Sequence, residues 1–300
     1  MPFRRAERGL GPQAAGAGLA GRSASAYVPR MASLTDIFMA RDVVSVIRLE
    51  GVIGAGPRLG AAALSDAGLA PLIEAAFRRG KPKAVALAIN SPGGSPAQSS
   101  LIAARIRRLA EERTVPVYAF VEDVAASGGY WLAAAADRIY VDPNSIVGSI
   151  GVISASFGFQ DFIARYGVER RVHTAGEDKS LLDPFRPERP EDVERLKRLQ
   201  LVIHDNFIDH VKARRGDRLR GDRLFTGEVW IGRQAVETGL VDEVGHLAPV
   251  MRMLYGKNVR FAVVAPRRPF FRRLGLPGVE EALGGVGDRA HWARFGLDAP

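Results

Sequence analysis

The 300-residue chain contains no cysteine. That excludes disulfides, thiol catalysis and cysteine-ligated metal. It leaves the compartment open, because secreted proteins can lack cysteine as well. No uninterrupted apolar run approaches the roughly 20 residues of a membrane span. The longest uncharged stretch of the leader, residues 9–21, is broken by glycines, Pro12 and Gln13, so it does not read as a signal-peptide core. The five histidines, His173, His204, His210, His246 and His291, show no metal-ligand spacing and read as surface or packing residues. A Gly-x4-Gly-Lys-Ser/Thr phosphate loop is missing, as is any internal repeat. No metal or cofactor is expected.

The central part of the chain also lacks an excess of charge. The formal net charge is +9, but residues 31–250 hold as many acids as bases. Residues 1–30 carry +4 and residues 251–300 carry +5. A nucleic-acid-binding core needs a basic face of its own, so nucleic acid is not an expected partner. The Arg-Arg-Pro-Phe-Phe-Arg-Arg stretch at 267–273 could touch an anionic bilayer instead. A cytoplasmic protein, or one peripheral on a membrane, is the expectation. The tails are expected to be dispensable for catalysis.

What is present is strand–helix alternation. Apolar runs at residues 43–49, 84–89, 115–121, 139–141, 148–154, 171–174 and 260–264 read as strands, with a further strand starting at Leu240. Helical spacing marks residues 69–77, 101–109, 132–136, 159–166, 191–215, 233–238 and 246–254. This predicts an α/β fold with a mainly parallel sheet. Ligands of such sheets lie beyond the carboxyl ends of the strands. Two glycine-rich turns fall there, Asn90-Ser91-Pro92-Gly93-Gly94 and Ala126-Ser127-Gly128-Gly129. In the second, a hydroxyl sits at a strand-to-helix turn, where free backbone N–H groups can hold an oxyanion. No histidine adjoins it in sequence. A serine nucleophile would then need another base, and a neutral lysine can serve; spacing does not say which lysine.

Five segments carry a resemblance. Ala126-Ser127-Gly128-Gly129-Tyr130-Trp131 resembles the nucleophile motif of the signal peptide peptidase A family of SppA- and SohB-like serine–lysine peptidases. Ile89 to Gly94 is similar to its oxyanion turn, and Val147-Gly148-Ser149-Ile150-Gly151-Val152 to its Gly-Ser-Ile-Gly-Val segment. Gly176 to Ser180 with Asp183-Pro184-Phe185 resembles its lysine loop. Phe225 to Asp242 resembles its C-terminal motif.

The resemblance implies a ClpP/crotonase-like fold of repeated ββα units around a mixed, mainly parallel sheet. It implies Ser127 as nucleophile, Lys179 as general base and Ser149 as the hydroxyl that orients the lysine. Gly94, Gly93 and Gly128 would supply the oxyanion hole. It also implies a peptide substrate and a ring-shaped homo-oligomer. An ordinary lysine is almost wholly protonated at neutral pH, so a lysine base requires a dry site. The family's usual N-terminal membrane anchor is not visible. The expected layout is a disordered tail over 1–40, a peptidase domain over 41–265, and a basic tail over 266–300 that is partly disordered or contacts another subunit. The rival expectation is a crotonase-like acyl-CoA enzyme or an inactive relative.

Overall fold

The computed structural model describes residues 42–54, 63–78, 80–176, 179–264 and 292–295. The leader, most of the C-terminal tail with the basic stretch 267–273, and His291 lie outside them.

The frame is an eight-stranded sheet. Its middle strands are β1 (Val43–Glu50), β2 (Ala84–Ser91) and β3 (Val117–Ala126). Every residue of β2 is buried, as expected of a parallel strand covered on both faces. Helices α1 (Asp66–Arg78) and α2 (Pro96–Arg113) cover one face, through Leu69, Ile73 and Phe77, and through Ile102 and Ile106. Ser95 caps α2 by accepting from the N–H of Gln98, and Pro96 opens it. The helix α3 (Gly128–Ala134) follows β3 directly and is wholly buried.

Further along lie β4 (Arg138–Val141), β5 (Ile146–Gly148), α4 (Gln160–Arg165), α5 (Pro190–Arg215), β6 (Val229–Ile231), α6 (Gly232–Glu237), β7 (Glu243–Val244), α7 (Leu247–Tyr255) and β8 (Arg260–Val264). Val250 and Met251 of α7 pack on Val44, Val46, Ala86 and Phe120, covering the second face. Among the described strands only β5 and β6 pair antiparallel. The expected class, α/β with a mixed and mainly parallel sheet, is what the chain adopts.

The strand β3 forks the sheet. Its first half pairs with β4, up to Val121↔Val141, and its last residues pair with β5, Val124↔Ile146 to Ala126↔Gly148. Glu122 and Asp123 sit at the fork. There the Ser145 hydroxyl donates to the carbonyls of Val121 and Glu122, which satisfies groups that the change of partner exposes. On the other edge the register with β2 shifts between Ile89 and Ser91. The Asn90 side chain fills that gap, accepting from Val124 N–H and donating to Asp123.

Three expected strands differ. The pairing expected over 148–154 stops at Gly148, because Ser149 takes a positive φ of 51° that an extended ladder does not admit. Residues 171–174 find no partner strand among the described residues. Leu240 and Val241 are buried side chains of a turn, and the strand begins only at Glu243. The apolar stripe that helical spacing marks on α5, Val193, Leu196, Leu199, Ile203, Phe207 and Val211, is only partly used: Phe207 and Val211 are buried, Val193, Leu196 and Ile203 half-buried, and Leu199 exposed. Leu201 and Val202, off that stripe, are exposed too, as are Ile153, Phe157, Phe162 and Tyr166 on the segment around α4.

Candidate active site

The site begins with a strained serine. Ser127 joins β3 to α3 with φ 51° and ψ −120°, a conformation that costs a side-chain-bearing residue about 1–3 kcal/mol. Its surroundings hold it there. The Ser127 N–H donates to Gly148 O at 2.8 Å, and its carbonyl accepts from Trp131 N–H at 3.0 Å. Since Ala126 and Gly148 are register partners, Ser127 and Ser149 follow side by side at the ends of β3 and β5. Ser149 is buried and anchored through its N–H to Glu228 O at 2.7 Å.

Glycine is required around the turn because backbones meet there. A Cβ on Gly93 would stand 2.8 Å from Ala126 O, Gly128 N and Ser127 Cβ alike. One on Gly94 would collide with Ile53 O, and one on Gly128 with the Ser99 hydroxyl. Gly94 N lies 3.4 Å from the place a Gly128 Cβ would take. Among the described residues no backbone carbonyl accepts from the N–H of Gly94 or of Gly128. Two unspent donors therefore stand beside the serine. Gly93→Ala is expected to displace the serine turn and reduce any Ser127-dependent activity about 100-fold or more, with little loss of secondary structure. Steady-state kinetics alongside circular dichroism checks this.

A cleft opens at the serine, lined by Pro96, Trp131, Gly151, Val152, Ile203 and Phe207. It is apolar apart from Ser127 and backbone. Trp131 stacks on Phe207, with ring centroids 4.6 Å apart, and on His210 at 5.1 Å. Sequence patterning placed Phe207 on the buried stripe of a helix. It did not reveal that this stripe meets the serine helix.

Two histidines serve as struts. His210 Nε2 bonds Trp131 O, and His204 Nε2 bonds Ile150 O, each at 3.1 Å. Burial pushes the His210 pKa down to about 4. A histidine depressed in the fold takes up protons first in the unfolded chain. Its contribution is therefore intact above about pH 6.5 and lost as pH falls toward 4. The swing is at most about 3 kcal/mol. Urea unfolding at pH 7 and pH 4.5 is expected to show that loss, and His210→Phe to flatten it.

Beneath α3 lies a buried ion pair that sequence reading missed. Arg215 and Asp242 meet through two bonds of 2.8 and 3.1 Å, and Arg215 Nε donates to Gly239 O. Asp242 also accepts from Ile139 N–H at 2.7 Å and from Arg218 at 3.2 Å. The Tyr130 hydroxyl donates to Leu240 O at 2.7 Å, tying α3 to the same turn. The signal was present in the Gly239 to Asp242 segment, but nothing in the sequence pairs it with Arg215.

Lys179 is exposed, and its N–H bonds Gly176 O at 3.3 Å. Among the described residues no hydrogen bond links its amine to Ser127 or Ser149. No cluster of three or more metal-ligating side chains occurs among those residues either.

Fold and site together define an α/β protein with a strained serine on a strand-to-helix turn at the end of its sheet. Residues 110–258 match peptidase family S49, and proteins named SppA and SohB are among the relatives. The chain belongs to this SppA/SohB-like family. It is 32% identical over 257 residues to the chloroplastic serine protease SPPA of Arabidopsis thaliana, covering 81% of this chain and 37% of that protein. It is 48% identical over 273 residues to a Brucella melitensis protein named Na(+)/H(+) antiporter NhaA, covering 85% of this chain and 37% of that one. The chain thus spans well under half the length of these two relatives. The antiporter name belongs to that longer protein; among the described residues here no helix is long and apolar enough to cross a membrane. A solved structure, a lysine-to-alanine mutant of the 1510-N membrane-bound stomatin-specific protease in complex with a substrate peptide, aligns with TM-score 0.47 and 15% identity over 79% of this chain and 97% of that one.

Proposed function

We propose that the chain is a serine endopeptidase that cleaves extended apolar peptides with a Ser127–Lys179 dyad. The observation that carries this reading is the strained Ser127 beside two unspent N–H donors, Gly94 and Gly128. In this mechanism Ser127 Oγ attacks the scissile carbonyl carbon while Lys179 Nζ takes its proton. The oxyanion that forms is held by the two N–H groups, and Gly93 leaves room for it. Collapse releases the amine, protonated by Lys179, and leaves an ester on Ser127 Oγ. Lys179 then deprotonates water, which hydrolyses the ester. Ser149 orients the lysine amine from its place beside Ser127.

The exposed lysine sets a further condition. A lysine base must be dry, so the loop after Gly176 closes over Ser127 and Ser149 in the working enzyme. The exposed apolar residues Ile153, Phe157, Leu199 and Val202 support burial of that region in a homo-oligomer. Residues 152–158 lie outside every strand and make no backbone hydrogen bond among the described residues, which leaves their N–H and C=O groups free to pair with a peptide strand. Peripheral contact with anionic lipid through the basic tails belongs to the same reading.

The cleft walls Trp131, Val152, Ile203 and Phe207 solvate charge poorly. Peptides with Leu or Ala before the scissile bond are expected to show kcat/KM at least about tenfold above those with Lys or Asp. Equal turnover of all four would remove the apolar specificity, and no turnover of any would remove the peptidase reading.

A further inference from the structure

The residue that stands out beyond the site is Trp292. It lies in the C-terminal tail, past the end of the family match at residue 258, in a stretch read from sequence as basic and dispensable. Yet it is 2% exposed and among the largest buried side chains of the molecule. It packs with Val124 and Ala126, with Ile146 and Phe295 at the edge of the cluster. Val124 and Ala126 are the buried residues at the end of β3 that face away from the main core, just before Ser127. Ile146 is the register partner of Val124 on β5. Trp292 therefore spans the two strands whose next residues are Ser127 and Ser149.

That location has a mechanical meaning. Ser127 sits in an unfavourable backbone conformation, and such a residue stays there only where its neighbours leave no alternative. The bond that fixes it, Ser127 N–H to Gly148 O, is the last rung of the β3–β5 pair. The pair is only three residues long and ends in positive-φ residues, Gly148 with Ser149, and Ser127. One face of it is backed by the main core through Ala125 and Val147, and the other by the small Trp292 cluster.

We propose that Trp292 is a positioning residue: docked on Val124, Ala126 and Ile146, it holds the β3–β5 end in register and so keeps the Ser127 hydroxyl aimed at substrate. This extends the peptidase reading and rests on it for its catalytic readout. The C-terminal tail is then not dispensable, contrary to the expectation from composition. Removal of residues 292–300 should act like loss of the indole alone.

The test uses the full-length chain with Trp292→Ala and Trp292→Phe. The alanine variant is expected to lower kcat about tenfold or more with KM changed less than about threefold, and the phenylalanine variant to recover most of the loss. Because a loss of folded fraction also lowers apparent kcat at unchanged KM, kcat is referred to active sites titrated with a serine-directed phosphonate. Amide hydrogen exchange supplies a readout independent of activity. In Trp292→Ala the amides of 124–128 and 146–149 should exchange faster, with those of Val46 and Leu87 unchanged. Should the alanine variant not fold, Trp292→Leu replaces it, with the same local gain in exchange and a smaller fall in kcat. Unchanged kcat together with unchanged exchange in the folded variant overturns the proposal. If the wild type neither hydrolyses peptide nor labels with a phosphonate, the peptidase reading fails by itself. Exchange at 124–128 then decides the positioning role, supporting it if protection is lost and overturning it if protection stays.

Discussion

Lys179→Arg is expected to abolish peptide hydrolysis while leaving fold and assembly intact. Arginine keeps the positive charge and the reach of lysine. It does not deprotonate near neutrality, so it takes no proton from Ser127 Oγ. The exposed position of Lys179 in the single chain makes a folding defect an unsuitable explanation for the loss. Ser127→Ala should be equally inactive and change stability by only about 1 kcal/mol, since it removes one atom at a turn. Ser149→Ala should fall between them. Retention of a tenth or more of wild-type activity by Lys179→Arg, a loss of about 1.4 kcal/mol or less in barrier terms, would show that Lys179 acts through charge alone.

Asp242→Ala is expected to destabilise the chain by about 3–5 kcal/mol. The Arg215 guanidinium is buried, and the substitution leaves it without its counter-ion. Ile139 N–H loses its acceptor at the same time. Burial alone would raise the Asp242 pKa, but the hydrogen bonds and charge of Arg215 outweigh it, and the pKa is lowered. A carboxylate depressed in the fold contributes stability above the unfolded carboxylate range and loses it as pH falls through its folded pKa. Denaturant unfolding at neutral pH checks the loss. Because Tyr130, Leu240 and Asp242 tie α3 to one turn, the same variant should also lose activity at temperatures where it remains folded.

Much of this was legible in the sequence because local chemistry and fold agree. The glycines beside Ser127 announced a turn where backbones meet, and the Cβ positions at Gly93 and Gly94 account for them. The spacing of Leu69, Ile73 and Phe77, and of Ile102 and Ile106, matched the buried faces of α1 and α2. The fork in β3 was not legible, since Glu122 and Asp123 read as the end of a strand and only the Ser145 hydroxyl and Asn90 side chain carry the ladder through. The end of pairing at Gly148 depends on the positive φ of Ser149, which no propensity scale gives to serine. Trp292 was obscured by composition: one indole in a tail of arginine and glycine carries little periodic signal, and its partners lie about 150 residues away. The segment carrying Lys179 was identified by its resemblance alone, because neither spacing nor composition singles out one lysine.

The central claim is that Ser127 is an activated nucleophile. Reaction of the wild-type protein with a serine-directed phosphonate, followed by mass mapping, tests it most directly. The account predicts a single adduct on the peptide that contains Ser127, absent in Ser127→Ala and slowed strongly in Lys179→Arg. An unmodified Ser127 in folded protein that nonetheless hydrolyses peptides or acyl-CoA thioesters would contradict it.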